Sequence, residues 1–179
     1  MFEFIDNYPV LAFVIMVSGI VAFFYSKFMI DCKLGENSQA YYKVLAVLKK
    51  LIPAEEQYIP VYAYWEYSGK YISSGKYYAV GITDNKLYIV PLYIAGDVIG
   101  YNRSFVITRD NLGKIDSGKP GGSMRFVFLY DKNQKEIFRF MINEKNTKLN
   151  KANPVNIVQI EEYHAFFVKL NEWEKLLQC

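Results

Sequence analysis

Between Asp6 and Lys27 the chain runs for 20 residues without a charged side chain, and from Pro9 to Tyr25 it reads PVLAFVIMVSGIVAFFY. As a helix rising about 1.5 Å per residue, such a stretch covers roughly 30 Å, the thickness of a bilayer's hydrocarbon core. A buried core helix keeps a polar stripe, whereas here the apolar character runs all round. The pattern therefore predicts a transmembrane span at about 8–26. A cleaved secretory signal would need a basic start and a small-x-small exit. Instead the start carries Glu3 and Asp6 and the exit reads YSKFMIDCK. The expectation is an uncleaved anchor over 1–30, with Tyr8 and Tyr25 at the two interfaces.

Basic residues gather on one side of this stretch. Residues 1–26 hold no Lys or Arg, whereas 27–52 hold Lys27, Lys33, Lys43, Lys49 and Lys50 against Asp31 and Glu36. The positive-inside rule then predicts a single-pass protein of the cell membrane, its N-terminus outside and its C-terminal domain in the cytoplasm. Those lysines are candidates for contact with anionic lipid. Residues 53–179 carry 16 basic and 14 acidic side chains, too even a balance for a nucleic-acid footprint.

Segment 31–57 contains ENSQAYYKVLAVLKKLI, with Tyr41, Val44, Leu45, Leu48, Leu51 and Ile52 at helical spacing and Pro53 as a stop. Its basic face lies either in solvent, with the helix packed on the domain, or on a membrane surface. Beyond it, over 58–179, the period becomes strand-like. Strands are predicted at 58–67, 77–83, 86–93, 104–108, 114–117, 124–130 and 136–142, with turns at Asp84-Asn85, 119–122 and 131–134. An Asn- and Lys-rich stretch then leads to an amphipathic helix over 159–177, with Tyr163, Phe166, Phe167, Leu170, Trp173 and Leu177 on one face. Aromatic residues reach 17% of the chain, which suits pleated sheet surfaces.

The segment VGITDNKLYIV at 80–90 is like the apolar-Thr-Asp-x-x-Leu-apolar hairpin of the bacterial pleckstrin-homology-like domains, a group similar to GRAM domains. ITRDNLGKI at 107–115 is similar to that family's turn into its next strand. Residues 124–140 resemble its paired strands across a DxxxK turn, and 167–176 its closing helix. The resemblance covers roughly 58–177. It implies an α+β fold: a mainly antiparallel seven-stranded barrel closed by the C-terminal helix, here behind an N-terminal transmembrane helix, an arrangement also met in that family. It implies a binding or scaffolding module and carries over no catalytic residue. Phosphoinositide-binding relatives use a basic cluster in the first hairpin loop, where SGKYISSGK offers Lys70 and Lys76.

The residues themselves argue against chemistry. One His, at His164, and two distant Cys, Cys32 and Cys179, are poor material for a metal centre or a nucleophile–base pair. The Gly- and Lys-containing turns lack phosphate-loop spacing. Glu55, Glu56, Asp97, Asp110 and Asp116 are scattered, so a carboxylate pair cannot be read from spacing alone. The expectation is a membrane-anchored, non-catalytic module without cofactor or metal, recognising a protein partner or, weakly, anionic lipid through Lys27, Lys33, Lys43, Lys49, Lys50, Lys70 and Lys76. The alternative is a membrane-bound enzyme with a carboxylate-based site in the β domain.

Overall fold

The computed structural model of the 179-residue chain describes residues 9–34, 39–68, 73–95, 98–118, 124–146 and 157–178. They fall in two compact units, Met1–Glu36 and Asn37–Cys179.

In the first unit, α1 (Pro9–Leu34) is helical as its uninterrupted apolar run dictates. Among the described residues no helix is long and apolar enough to cross a membrane. This overturns the expected transmembrane anchor, and with it the single-pass cell-membrane location and the orientation drawn from it. Tyr8 lies outside the described residues.

The second unit is built on one antiparallel sheet with a helix on each face. Its elements are α2 (Gln39–Leu51), β1 (Ile59–Ser68), β2 (Ser73–Ile82), β3 (Lys86–Ala95), β4 (Val98–Tyr101), β5 (Phe105–Thr108), β6 (Leu112–Ser117), β7 (Met124–Asp131) and β8 (Glu136–Asn143). A short β9 (Lys145–Asn146) and β10 (Ile157–Val158) pair with each other, and α3 (Ile160–Leu177) follows. The spatial order is β4-β3-β2-β1-β8-β7-β6, with β5 pairing β3.

The central strands are apolar on both faces because each face meets a helix. On one face Val61, Ala63, Val80, Ile82, Leu87, Ile89, Phe140 and Ile142 pack with Tyr163, Phe166, Phe167, Leu170 and Trp173 of α3. On the other, Tyr62, Tyr64, Ala79, Tyr88, Val90 and Leu92 pack with Tyr41, Val44, Val47 and Leu48 of α2. Period-two alternation along β1 thus feeds two cores at once. Gly81 lets α2 approach: a Cβ there would meet Ile52 Cδ1 at 2.7 Å. Of the two placements open to this amphipathic helix, the one on the domain is taken. The helices are also linked, Tyr41 donating its hydroxyl to Glu162 Oε1 at 2.5 Å. Burial, reinforced by that carboxylate, pushes the Tyr41 phenol far above its ordinary range.

The expected seven-stranded closed barrel is corrected: the sheet has eight strands and is open. The segment likened to the pleckstrin-homology-like hairpin does form β2, a turn and β3, with Ile82 paired to Leu87. But α3 covers one face and α2 the other, so neither helix closes a barrel, and the bacterial pleckstrin-homology-like resemblance is not upheld. The physical reason lies at the two ends of the sheet: among the described residues β4 and β6 do not pair with each other, so the strands form no ring.

Candidate functional site

β1 is paired to β2 over its whole length, from Ile59↔Ile82 to Ser68↔Ser73. β8 is paired to β7 from Asn143 back to Glu136. Among the described residues the backbone pairing between these two hairpins is Tyr64↔Met141 alone. On one side of that pair the buried Gln159 side chain stands in for a strand. Its Oε1 accepts from the Tyr62 backbone N–H at 2.7 Å, and its Nε2 donates to the Tyr62 carbonyl at 2.9 Å and the Asn143 carbonyl at 2.8 Å.

On the other side the strands part and a groove of about 430 Å³ opens, lined by Trp65, Lys76, Tyr78 and residues 136–139 of β8. Successive strand residues point to opposite faces. A groove that touches four in a row therefore runs along the strand's edge.

The groove continues into a wider depression. Phe138 lies 5.1 Å from the Tyr78 ring and 6.2 Å from that of Phe105. It also borders two neighbouring hollows, of about 480 and 460 Å³, that reach Tyr93 and Asn102 on one side and Arg103 and Val106 on the other. Around this floor large apolar side chains stay in water: Tyr93 is 63% exposed, Phe105 53%, Val106 49% and Ile137 41%. Among the described residues three cations, Lys76, Arg103 and Arg139, line the same hollows against one acid, Glu136. Arg139 bonds Glu136 at 3.1 Å and lies 4.8 Å from the centre of the Trp65 ring, spanning the parting from β8 to β1.

The lysines singled out in the sequence are dispersed. Lys76 shares the face of Tyr78 and sits in the groove. Lys43, Lys49 and Lys50 are exposed on α2, which packs on the opposite face of the sheet. The side chains of Lys27, Lys33 and Cys32, and all of Lys70, Asp97 and Cys179, lie outside the described residues. Arg103, Arg139 and the aromatic floor escaped sequence reading because no local spacing links β5 to β8.

The remaining candidates are tied into structure. His164 is exposed, 3.6 Å from Glu144. Among the described residues no group of His, Cys, Asp or Glu could hold a metal ion. Glu55 and Asp110 face solvent, and Asp116 pairs loosely with Lys114 at 3.9 Å. Glu56 pairs with Lys86 and accepts the Tyr88 hydroxyl at 3.0 Å. Asp84 pairs with Lys169 of α3 at 2.5 Å. The hydrogen bonds from these lysines hold both carboxyls below their usual range.

No family model matches the chain, and no curated protein does. A solved structure described as the hSac2 domain from the human phosphoinositide phosphatase Sac2 is similar over 80% of this chain and 86% of its own, at 13% identity and a TM-score of 0.42. A likeness at that level carries no argument about ligand or activity.

Proposed function

We propose that the protein is a non-catalytic recognition module that takes an acidic partner at the depression around Phe138. The observation that carries this reading is the meeting, on one continuous surface, of exposed Tyr93, Phe105, Val106 and Ile137 with Lys76, Arg103 and Arg139. Large apolar side chains kept in water mark contact surfaces, and the surplus of cations selects a partner of negative charge. Recognition is favoured over a carboxylate-based enzyme because Glu56 and Asp84 are engaged by Lys86 and Lys169 and kept ionised, whereas a general acid needs its pKa raised.

A second reading rests on Tyr93, Tyr101 and Phe105, exposed beside Arg103: aromatic rings next to a cation also suit the headgroup layer of an anionic membrane. The test is photo-crosslinking in cells with benzoylphenylalanine at position 105, and at position 49 on the opposite side of the sheet as the control. A discrete polypeptide adduct at 105, lost when Lys76 and Arg103 are changed to Glu, supports the protein partner. A lipid adduct at 105 moves the conclusion to the membrane reading. Adducts at 49 with none at 105 remove the depression from consideration.

A further inference from the structure

We infer that the parting between β1 and β8 accepts an extended acidic peptide, which adds as a strand to the free edge of β8 at residues 136–140. This rests on the recognition reading above and specifies its mode.

Three observations lead here. The first is topological: β8 is laddered to β7 apart from an irregularity at Ile137, yet among the described residues no strand pairs it on the other side except at Tyr64↔Met141. Such an edge is a template for another chain, and folded proteins cap or charge it unless it is used. The second is the groove, which follows 136–139 residue by residue along the strand and so offers backbone as well as side chains. Strand addition draws affinity from main-chain hydrogen bonds and specificity from alternate side chains.

The third is charge. An incoming strand finds a cation on either face of the groove, Lys76 on the face of Tyr78 and Phe138 and Arg139 on the other, so a carboxylate on one set of its side chains is matched while the other set stays apolar. Arg139 is already satisfied by a carboxylate, that of Glu136, while its guanidinium covers Trp65. A partner's carboxylate can replace Glu136 there, so that Arg139 stays paired while Glu136 turns to water. A basic peptide would face Lys76 and Arg139 with like charge.

The contact at Gln159 supports the same geometry from the other end. There a side-chain amide already bonds the Tyr62 backbone at the place a strand neighbour would occupy. The space between the hairpins is thus suited to amide groups.

The experiment uses the whole chain and three capped heptapeptides: one alternating Glu and Val, the same peptide N-methylated at three amides on one edge, and one alternating Lys and Val. Binding is read by fluorescence anisotropy and by hydrogen exchange at 136–140. The acidic peptide is expected to bind and to slow exchange at 136–140. N-methylation should weaken it at least about tenfold, since several main-chain hydrogen bonds are removed. Lys76→Glu should weaken it severalfold and Glu136→Gln should tighten it.

Equal binding of the N-methylated peptide would overturn strand addition while leaving the recognition reading to the crosslinking result. Equal binding of the basic peptide would overturn the charge argument. Failure of the acidic peptide to bind at millimolar concentration would overturn the inference. So would protection of 136–140 by phosphatidylserine vesicles but not by peptide, which would point to a lipid surface.

Discussion

The side-chain amide of Gln159 is bonded to both polar groups of the Tyr62 backbone, accepting its N–H at 2.7 Å and donating to its carbonyl at 2.9 Å. Gln159 and Tyr62 are both fully buried. One glutamine therefore does at this point what a neighbouring strand does elsewhere in the sheet, and its own backbone N–H is satisfied by the Glu144 carbonyl at 2.9 Å. Buried main-chain groups are almost always paired, so removing this side chain would strand several at once.

Gln159→Leu should accordingly lower unfolding free energy by roughly 3 kcal/mol, since it leaves buried donors and acceptors without partners. Gln159→Glu should show a pH signature. The buried carboxylate would face the Tyr62 and Asn143 carbonyls, so its native pKa would be raised and the variant would lose stability as pH climbs above about 4. Urea titrations across pH measure both. An unchanged midpoint in Gln159→Leu would refute the role given to this amide.

Trp173 is buried in the core between α3 and the sheet, and its Nε1 has no hydrogen-bond partner among the described residues. Trp173→Ala should cost about 3 to 5 kcal/mol. Trp173→Phe should cost clearly less, because it removes a donor that is not bonded and keeps most of the ring. Thermal unfolding of the two variants side by side decides it.

Gly113 sits at the irregularity between Leu112 and Lys114 where β6 shifts register against β7. A Cβ there would lie 2.4 Å from the Asp131 carbonyl oxygen and 2.7 Å from Lys132 Cα, both backbone atoms that cannot step aside singly. At Gly81 the nearest obstacle is the tip of the Ile52 side chain. Gly113→Ala is expected to destabilise by about 1 to 3 kcal/mol, and by more than Gly81→Ala. The reverse order, measured by chemical denaturation, would mean that the β6–β7 bulge adapts freely.

Glu56 has its native pKa lowered, first by the hydrogen bond from Lys86 and then by that from Tyr88, with burial opposing. Between that value and the higher one of the unfolded chain, the native state binds fewer protons, so stability rises with pH there and is lost on acidification. Glu56→Gln should flatten the dependence of unfolding free energy on pH between about 3 and 5. The slope is obtained from denaturation series at fixed ionic strength, and an unaltered slope would exclude Glu56 as a contributor.

Much of the scaffold was legible in the sequence because it is local. The aromatic and β-branched run at 58–67 and the run at 86–93 read as strands, observed at 59–68 and 86–95, and Asp84-Asn85 announced the turn that the Thr83 hydroxyl now holds, accepting the Asn85 and Lys86 N–H groups. Asp131 does the same for the β7–β8 turn, accepting from Asn133 and Lys135. The 3.6-residue spacing of Tyr163, Phe166, Phe167, Leu170 and Trp173 predicted the face that α3 buries. The four-residue β4 and the two-residue β9 and β10 were not legible, being too short to display a period.

The sequence by itself determined the hairpins, the helical character of 9–25, 39–51 and 160–177, and which face of α3 is buried. Each of these depends on neighbours within a turn or two along the chain. An uncharged stretch did not determine a membrane crossing. Only the tertiary structure decided that α2 takes the second face of the sheet, that β1 and β8 meet at one pair, and that Gln159 fills one side of the parting. It alone brought Trp65, Lys76, Phe105, Phe138 and Arg139 to the other side. Periodicity says which way a side chain points, whereas its neighbour across the sheet depends on how distant strands find a common register, a balance of packing and backbone pairing summed over the whole domain.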